Sequence, residues 1–173
     1  MSHQLIVLPD DTAKPILDAV NGANKFLNIR MFLFTDPTLL QAVIAAKKRG
    51  ARVRVMLNPA RRSGESENEE ARKKLTDAGI EVRDGNPSFD LTHQKSMVVD
   101  GEIGFVESLN WEPKDLTMTR DYAVVTTHGQ DVAEMEACFD AEAMHHSRSG
   151  ETADHKEAAK AFVEKRKPVF GGH

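Results

Sequence analysis

The fold is decided by Thr92-His93-Gln94-Lys95-Ser96-Met97-Val98-Val99-Asp100-Gly101, which is followed shortly by Ser108-Leu109-Asn110. The apolar residues Met97–Val99 predict a strand that enters the interior. Asp100-Gly101 predicts a tight two-residue turn, because this pair readily adopts positive φ at both central positions. The stretch therefore predicts a β-hairpin in which Val99 pairs with Glu102.

Polar side chains at the open end of this hairpin are expected to lie together. Residues i and i+2 of a strand point to the same side of a sheet. Counting back from the two-residue turn sets His93 opposite Ser108, and a bulge in either strand would change that count. The register therefore predicts one polar face formed by His93, Lys95, Ser108 and Asn110.

The pattern H-x-K-x-x-x-x-D followed by S-x-N resembles the signature of the phospholipase D superfamily. H-x-K with the aspartate alone would be a weak pattern, but S-x-N at the family spacing and Asp121 beyond it make the resemblance specific. The resemblance also includes Phe26–Leu57 and Thr119–Val124, and it covers roughly residues 4 to 145. It implies a phosphodiesterase that cleaves or transfers a phosphodiester of a phospholipid or of a nucleic acid.

The resemblance implies a role for each polar side chain of the hairpin. His93 would attack phosphorus and form a covalent phosphohistidine, and an imidazole titrates close enough to neutrality to act as nucleophile or acid. Lys95 would hold the phosphate oxygens by its charge, and Asn110 by its amide donor. Ser108 would donate to the same oxygens or only support Asn110.

Two aspartates have different expected roles. In the family, an acidic residue at the position of Asp121 accepts a hydrogen bond from the histidine ring and stabilises its charged form. The alternative for Asp121 is an ordinary ion pair with Arg120. Asp100 is the first residue of the turn, at the far end of the strand from His93, so we expect it to hold the turn or a local ion pair rather than to touch substrate.

Glu107 departs from the family pattern, which commonly has glycine before the serine. On a strand Glu107 would point away from Ser108, whereas an inward carboxylate would oppose an anionic substrate. This departure supports a second hypothesis for the function. The chain would then be a non-catalytic binding or assembly domain derived from half of a two-motif phospholipase D-like protein.

The chain carries one H-x-K motif, whereas the family reaction uses two histidines, one to attack phosphorus and one to protonate the leaving oxygen. The simplest solution is a two-fold symmetric homodimer that places His93 beside its symmetry mate in a composite active site. No metal ion and no other cofactor is implied by the resemblance.

Composition sets broader limits. The 173 residues suit one domain, which we place at residues 1–147, followed by a charged and potentially helical tail at residues 148–173. The net charge of −4 and the lack of a dense basic run give no general signal for nucleic acid, although a local patch in the fold is compatible with it. The single cysteine, Cys138, excludes an internal disulfide. Without a predicted signal peptide or membrane span, we expect a cytoplasmic protein that contacts the membrane peripherally if its substrate is lipid.

The order of predicted elements indicates the fold class. Helices alternate with strands through the first half, including a buried central strand over Phe26–Phe34 and a helix opened by Asp36-Pro37. Strands then cluster around the hairpin, and a helix is predicted over Asp131–His146, before a polar linker at Ser147–Glu151. This pattern predicts an α/β fold with a mixed β-sheet sandwiched between helix layers.

Overall fold

The structure is a computed structural model that describes residues 2–59, 67–86, 91–151, 157, 166, 167, 169 and 171. Side chains of residues 144–151 are not among those described. The described chain contains seven strands and five helices. In chain order these are β1 (His3–Leu8), α1 (Lys14–Gly22), β2 (Phe26–Met31), α2 (Pro37–Lys48), β3 (Arg52–Leu57), α3 (Glu69–Asp77), β4 (Glu81–Asp84), β5 (Ser96–Val99), β6 (Ile103–Glu107), α4 (Pro113–Thr117), β7 (Asp121–Thr126) and α5 (Gly129–Glu151).

All seven strands form one mixed sheet in the order β1-β7-β6-β5-β2-β3-β4. Strands β2, β3 and β4 run parallel to one another, and the remaining neighbours are antiparallel. Helices α1 and α2 pack together, and α5 packs on β2, β5 and β6. The predicted α/β class with a mixed sheet between helix layers is confirmed.

The sequence of β2 explains why both faces of the sheet are covered. Leu27 and Ile29 belong to the main core, and both are fully buried. Asn28 and Arg30 point to the opposite face, beneath α5, and they are also buried. On that face α5 approaches β6 closely at Gly104, where a Cβ atom would lie 2.6 Å from Sδ of Met135. A larger residue at this position would therefore require the Met135 side chain to move.

Helix α2 begins as the sequence predicts. The Asp36 side chain accepts a hydrogen bond from the backbone N–H of Leu39 at 2.8 Å, and Pro37 occupies the first turn. The cap satisfies one of the free N–H groups that every helix start exposes, and proline suits a position whose N–H has no partner.

The hairpin turn forms as predicted, but its register is different. Asp100 and Gly101 both have positive φ, of 56° and 72°. Glu102 donates its N–H to the Val99 carbonyl at 3.0 Å, yet Val99 pairs in the sheet with Ile103. One extra residue therefore lies in the loop, and the predicted pairing of Val99 with Glu102 is wrong.

Contacts outside the hairpin explain the extra residue. Glu102 forms an ion pair with Lys25 at 2.8 Å, and Asp100 donates its N–H to the carbonyl of Phe26. The turn is thus bonded to the segment that leads into β2, and such tertiary contacts are invisible to a count along the hairpin alone. A shift of one residue changes the partner of every residue in the strand, so the pairing of His93 with Ser108 is also wrong.

The end of the domain differs as well. Helix α5 continues to Glu151, so the predicted linker at Ser147–Glu151 is helical backbone. The inward residues of α5 include Val132, Phe139 and Ala143, which are all buried. Most of the tail after residue 151 lies outside the described residues, and the boundary at residue 147 stays a prediction.

Candidate active site

The predicted polar residues meet at one edge of the sheet although the predicted register is wrong. His93 and Lys95 precede the first residue of β5, and Ser108 and Asn110 follow the last residue of β6. Asp121 is the first residue of β7, which pairs with β6 at this edge. The loops at the sheet edge, rather than the ladder of the hairpin, therefore bring these groups together.

His93 and Lys95 are in direct contact. Nζ of Lys95 lies 3.0 Å from Nε2 and 3.1 Å from Nδ1 of His93, and it also donates to the His93 carbonyl at 3.2 Å. The edge of the Phe32 ring packs on the imidazole with a centroid distance of 4.6 Å. Lys95 is only 5% exposed, whereas His93 is exposed. A buried cation therefore holds an accessible imidazole.

Both groups titrate below their ordinary ranges. Desolvation by its neighbours, and then the charge of Lys95, lower the pKa of His93. Burial lowers the pKa of Lys95, while the nearby carboxylates of Asp115 and Asp121 act to raise it. The lowered pKa of His93 favours its neutral imidazole, which is the form that can act as a nucleophile.

Ser108 and Asp121 form a hydrogen-bonded pair. The Ser108 hydroxyl donates to Oδ1 of Asp121 at 2.6 Å and accepts the N–H of Tyr122 at 2.9 Å. The hydroxyl of Thr119 donates to Oδ2 of Asp121. Among the described residues, Asp121 makes no hydrogen bond with His93, so its role as partner of the imidazole stays a prediction.

The alternative reading of Asp121, an ion pair with Arg120, does not fit the geometry. Arg120 pairs instead with Asp10, with Nη1 and Oδ2 at 2.5 Å. The charge of Asp121 is therefore available to Lys95, whose pKa it raises.

Asn110 is held by a carboxylate that the sequence analysis did not single out. Its backbone N–H and its Nδ2 both donate to Oδ2 of Asp115, at 3.0 Å and 2.9 Å. Its carbonyl oxygen Oδ1 is buried without a hydrogen-bond partner among the described residues. The amide is thus held in place, with one of its two N–H groups bound to Asp115.

Glu107 turns into the interior beside the site. It is 8% exposed, its Oε2 accepts a hydrogen bond from Nε1 of Trp111 at 2.8 Å, and its N–H donates to the Lys95 carbonyl. Burial raises the pKa of Glu107 to about 7, against the opposing effect of the Trp111 hydrogen bond. At neutral pH this carboxyl therefore carries only part of the negative charge that would oppose an anionic substrate.

Asp100 lies at the other end of the hairpin, in the turn. Its carboxylate accepts backbone N–H groups of Asn24, Lys25 and Phe26 at 2.8–3.3 Å. Partial burial acts to raise the pKa of Asp100, but these hydrogen bonds prevail and lower it. This geometry favours the structural role that the sequence predicts for Asp100.

Two asparagines that the sequence analysis missed hold the loops around His93. Asn58 follows β3 and accepts the N–H of Thr92 through Oδ1 at 2.8 Å. Asn68 donates through Nδ2 to the carbonyls of Phe32 and Asn58 at 2.9 Å and 3.1 Å. The position of Asn58, directly after a strand that ends at this edge, was the available signal, because ligand sites collect at such strand ends.

A groove leads from the site along α5. Its volume is about 480 Å³. It lies between α5 and the strands β5 and β6, and the residues that line it include Arg30, His93, Lys95, Ser96, Val106 and Glu107. Within the described part of the chain, no group of three or more metal-ligating side chains is arranged to hold an ion. None of the described helices is long and apolar enough to cross a bilayer.

Comparison with known proteins identifies the family. Residues 16–143 match the family model described as "Cardiolipin synthase, PLD-like domain". This match takes in more than half of the chain, so the protein belongs to the phospholipase D-like family. The resemblance inferred from the H-x-K and S-x-N motifs is confirmed.

Curated relatives and solved structures are similar to this chain in sequence and in fold, respectively. The chain is 28% identical over 123 residues to the mitochondrial cardiolipin hydrolase of Xenopus laevis, covering 68% of this chain and 54% of that protein. It is 31% identical over 112 residues to the human mitochondrial cardiolipin hydrolase, covering 64% and 42%. The chain thus spans about half the length of these curated relatives.

Among solved structures, Nuc of Salmonella typhimurium, a phospholipase D family member, matches with a TM-score of 0.74 at 23% identity, over 83% of this chain and 95% of Nuc. NucT of Helicobacter pylori matches with a TM-score of 0.70 at 15% identity, over 83% and 96%. At such identities these two structures show a shared fold.

Proposed function

We propose that the protein is a phosphodiesterase in which His93 forms a covalent phosphohistidine. The observation that carries the proposal is the contact of the exposed His93 imidazole with the buried Lys95 ammonium group at 3.0 Å, in an open groove that both residues line. Phosphoryl transfer needs little from a protein beyond positioning and stabilisation of charge, and these groups can supply both.

The reaction that we propose has two steps. His93 of one subunit attacks phosphorus, a P–N bond forms, and the bond to the leaving alcohol oxygen breaks as His93 of the second subunit protonates that oxygen. The second imidazole, now neutral, then removes a proton from water or from another alcohol, which attacks phosphorus and releases His93. Lys95 and Asn110 hold the non-bridging oxygens throughout. Water as acceptor gives hydrolysis, and an alcohol gives transfer.

An uncovered apolar row on the sheet supports the proposed homodimer. Leu5, Val124 and Val106 pair across β1, β7 and β6, and they are 55%, 42% and 53% exposed. Helix α5 packs on β2, β5 and β6 and leaves this part of the same face open. Val106 also lines the groove beside His93. We infer that a second copy covers this row, so that the dimer interface continues into the active site.

The His93→Ala variant tests the catalytic proposal. Turnover of a bis-aryl phosphodiester should fall by at least about 10³-fold, because the nucleophile is lost. A radiolabelled phosphoenzyme trapped by acid-free quenching should be present in the unchanged protein and absent from the variant. A labelled intermediate that persists in His93→Ala would refute the assignment.

The proposed reaction uses no metal ion, so the activity of the unchanged protein should survive a chelator. Complete loss of activity in chelator would count against the proposed reaction.

The composite site can be tested by mixing subunits. In proteins assembled from unchanged and His93→Ala chains, activity should follow the square of the unchanged fraction, because each site needs two imidazoles. Independent monomers would instead give a linear relation. A Val124→Asp variant should be monomeric by light scattering and inactive, while Val169→Asp, at an exposed residue outside the apolar row, should keep both the dimer and the activity.

The substrate class is the remaining choice between phospholipid and nucleic acid. Leu91 and Met118 are exposed apolar residues in the loops at the site edge, at 51% and 77%, and such residues suit contact with a lipid surface. A side-by-side assay on anionic phospholipid vesicles, single-stranded DNA and double-stranded DNA decides the matter. A monomer that turns over none of these and no bis-aryl phosphodiester would favour the alternative, a non-catalytic binding or assembly domain.

A further inference from the structure

Asp115 stands out among the groups around the site because it contacts a predicted phosphate-binding residue twice. It is the third residue of the short helix α4, and it is partly buried. A single oxygen, Oδ2, accepts both the backbone N–H and the side-chain Nδ2 of Asn110. A carboxylate that binds backbone and side chain of one residue fixes both its position and its rotamer.

This contact also decides which way the amide of Asn110 points. An ionised carboxylate is an acceptor only, so it requires the NH₂ group and repels the amide oxygen. In the opposite orientation, Oδ1 of Asn110 would face Oδ2 of Asp115. The NH₂ group carries two hydrogens, and Asp115 takes one of them. The second N–H is the donor that Asn110 has left to offer to a phosphate oxygen.

We propose that Asp115 is a positioning residue of the phosphodiester site, which orients the Asn110 amide so that its second N–H faces the non-bridging oxygens. The proposal rests on the proposed function of the site. Asp115 acts through Asn110 and is not expected to touch the substrate itself, because a carboxylate in contact with a phosphodiester would be repelled.

Electrostatics give Asp115 a second, measurable effect. Its charge is the larger of two carboxylate influences that raise the pKa of Lys95 against burial. Removal of the charge should therefore lower the pH at which Lys95 loses its proton. The basic limb of the profile of kcat/KM against pH should move to lower pH in a variant without this carboxylate.

A purely structural reading of Asp115 predicts different results. A carboxylate in the first turn of a helix often bonds to the N–H groups before it, and its loss costs about 1 kcal/mol of stability. On that reading, Asp115→Ala would lower thermal stability and would change kcat/KM by the same factor whether or not Asn110 is present.

The test is a double-mutant cycle measured on a bis-aryl phosphodiester at pH 6.5, with the full chain. Asp115→Ala and Asn110→Ala should each lower kcat/KM by about 10²–10³-fold, which is typical of one lost transition-state donor. The double variant should be no slower than Asn110→Ala, because residues that act as a unit are not additive. Asp115→Asn should recover part of the loss, since its side-chain oxygen can still accept the amide N–H.

Lys114→Ala on the same helix provides the matched control, because Lys114 is exposed and should leave kcat/KM unchanged. Additive losses in the double variant, together with an unmoved basic limb in Asp115→Ala, would overturn the role of Asp115 while leaving the proposed function intact. An unchanged protein with no turnover would instead overturn the proposed function and the role of Asp115 with it.

Discussion

The two ends of the β5–β6 hairpin carry the same kinds of side chain in opposite states. At the turn, the carboxylate of Asp100 accepts three backbone N–H groups and its pKa is lowered. At the open end, the carboxyl of Glu107 has one oxygen buried without a partner among the described residues, and its pKa is raised to about 7. The carboxylate at the turn finds its hydrogen-bond partners within the chain, whereas one carboxyl oxygen at the open end finds none among the described residues.

This difference separates stability from function. A polar group whose bonds are all made inside the chain lowers the energy of the fold and has nothing left for a ligand. Lys95 is buried at a cost, and its partner is an imidazole rather than a carboxylate. Such groups are kept at functional sites, where perturbed titration and unpaired donors are useful. The comparison predicts that substitutions at the open end change activity and that substitutions at the turn change stability.

The largest effect is expected for Lys95→Met. Loss of the cation that we propose to hold the phosphate oxygens should lower kcat/KM on the order of 10³-fold. The free energy of unfolding should stay the same or rise, because methionine fills a similar space without a buried charge. Turnover of a bis-aryl phosphodiester measures the expected loss of activity, and urea unfolding measures the expected change in stability. The pKa of His93, followed by NMR, should also rise, since Lys95 no longer lowers it. A Lys95→Met protein that is less stable yet still active would contradict the assignment of the open end of the hairpin to activity rather than stability.

Asp100→Ala, at the turn, should lower stability rather than activity. The change leaves three N–H groups of the segment before β2 without their acceptor and places alanine at a positive φ. The free energy of unfolding should fall by about 3 kcal/mol. Asp100→Asn should recover part of this, because asparagine tolerates positive φ and retains one acceptor oxygen.

The readout for Asp100 is the urea midpoint alongside turnover per folded molecule. His93→Ala is the matched control from the other end of the hairpin, and it should leave the midpoint nearly unchanged because His93 is exposed. If Asp100→Ala folds normally but loses turnover, Asp100 belongs to the site and the separation between the two ends is wrong.

Local sequence signals predicted the elements well and the site in part. The apolar runs, the Asp36-Pro37 helix start and the positive φ values of Asp100-Gly101 are local features, and the structure contains all of them. The motif also selected residues that do converge, namely His93 with Lys95, and Ser108 with Asp121. The motif succeeded where the register count failed, because the motif reflects the folded site and the count assumes an unperturbed ladder.

The remaining features depend on contacts between distant segments. The extra residue at Glu102 is accompanied by an ion pair with Lys25, and the loop before His93 is held by Asn58. Asp115 escaped notice because an aspartate near a helix start is common in any protein. Its contact with Asn110 spans only five residues, but it depends on the turn after β6, and an aspartate at a helix start does not by itself indicate such a turn.

The smallest expected effect concerns Glu107 and depends on pH. Burial raises the pKa of Glu107 from 4.5 to about 7 in the folded protein. The protonated form therefore contributes stability that is fully present below about pH 4.5 and is lost as the pH rises through about 7. The whole contribution is roughly 3 kcal/mol, of which about 2 kcal/mol falls between pH 5 and pH 8.

Glu107→Gln isolates this contribution, because glutamine stays neutral and its side-chain oxygen can still accept the Trp111 N–H. The unfolding free energy of the unchanged protein, relative to that of Glu107→Gln, should fall by about 2 kcal/mol from pH 5 to pH 8. Glu134→Gln on α5 is the control, since Glu134 is exposed and should show no such trend. A constant difference between the two proteins across this range would mean that Glu107 is ionised in the fold, and that a full negative charge stands beside Lys95 at the open end of the hairpin.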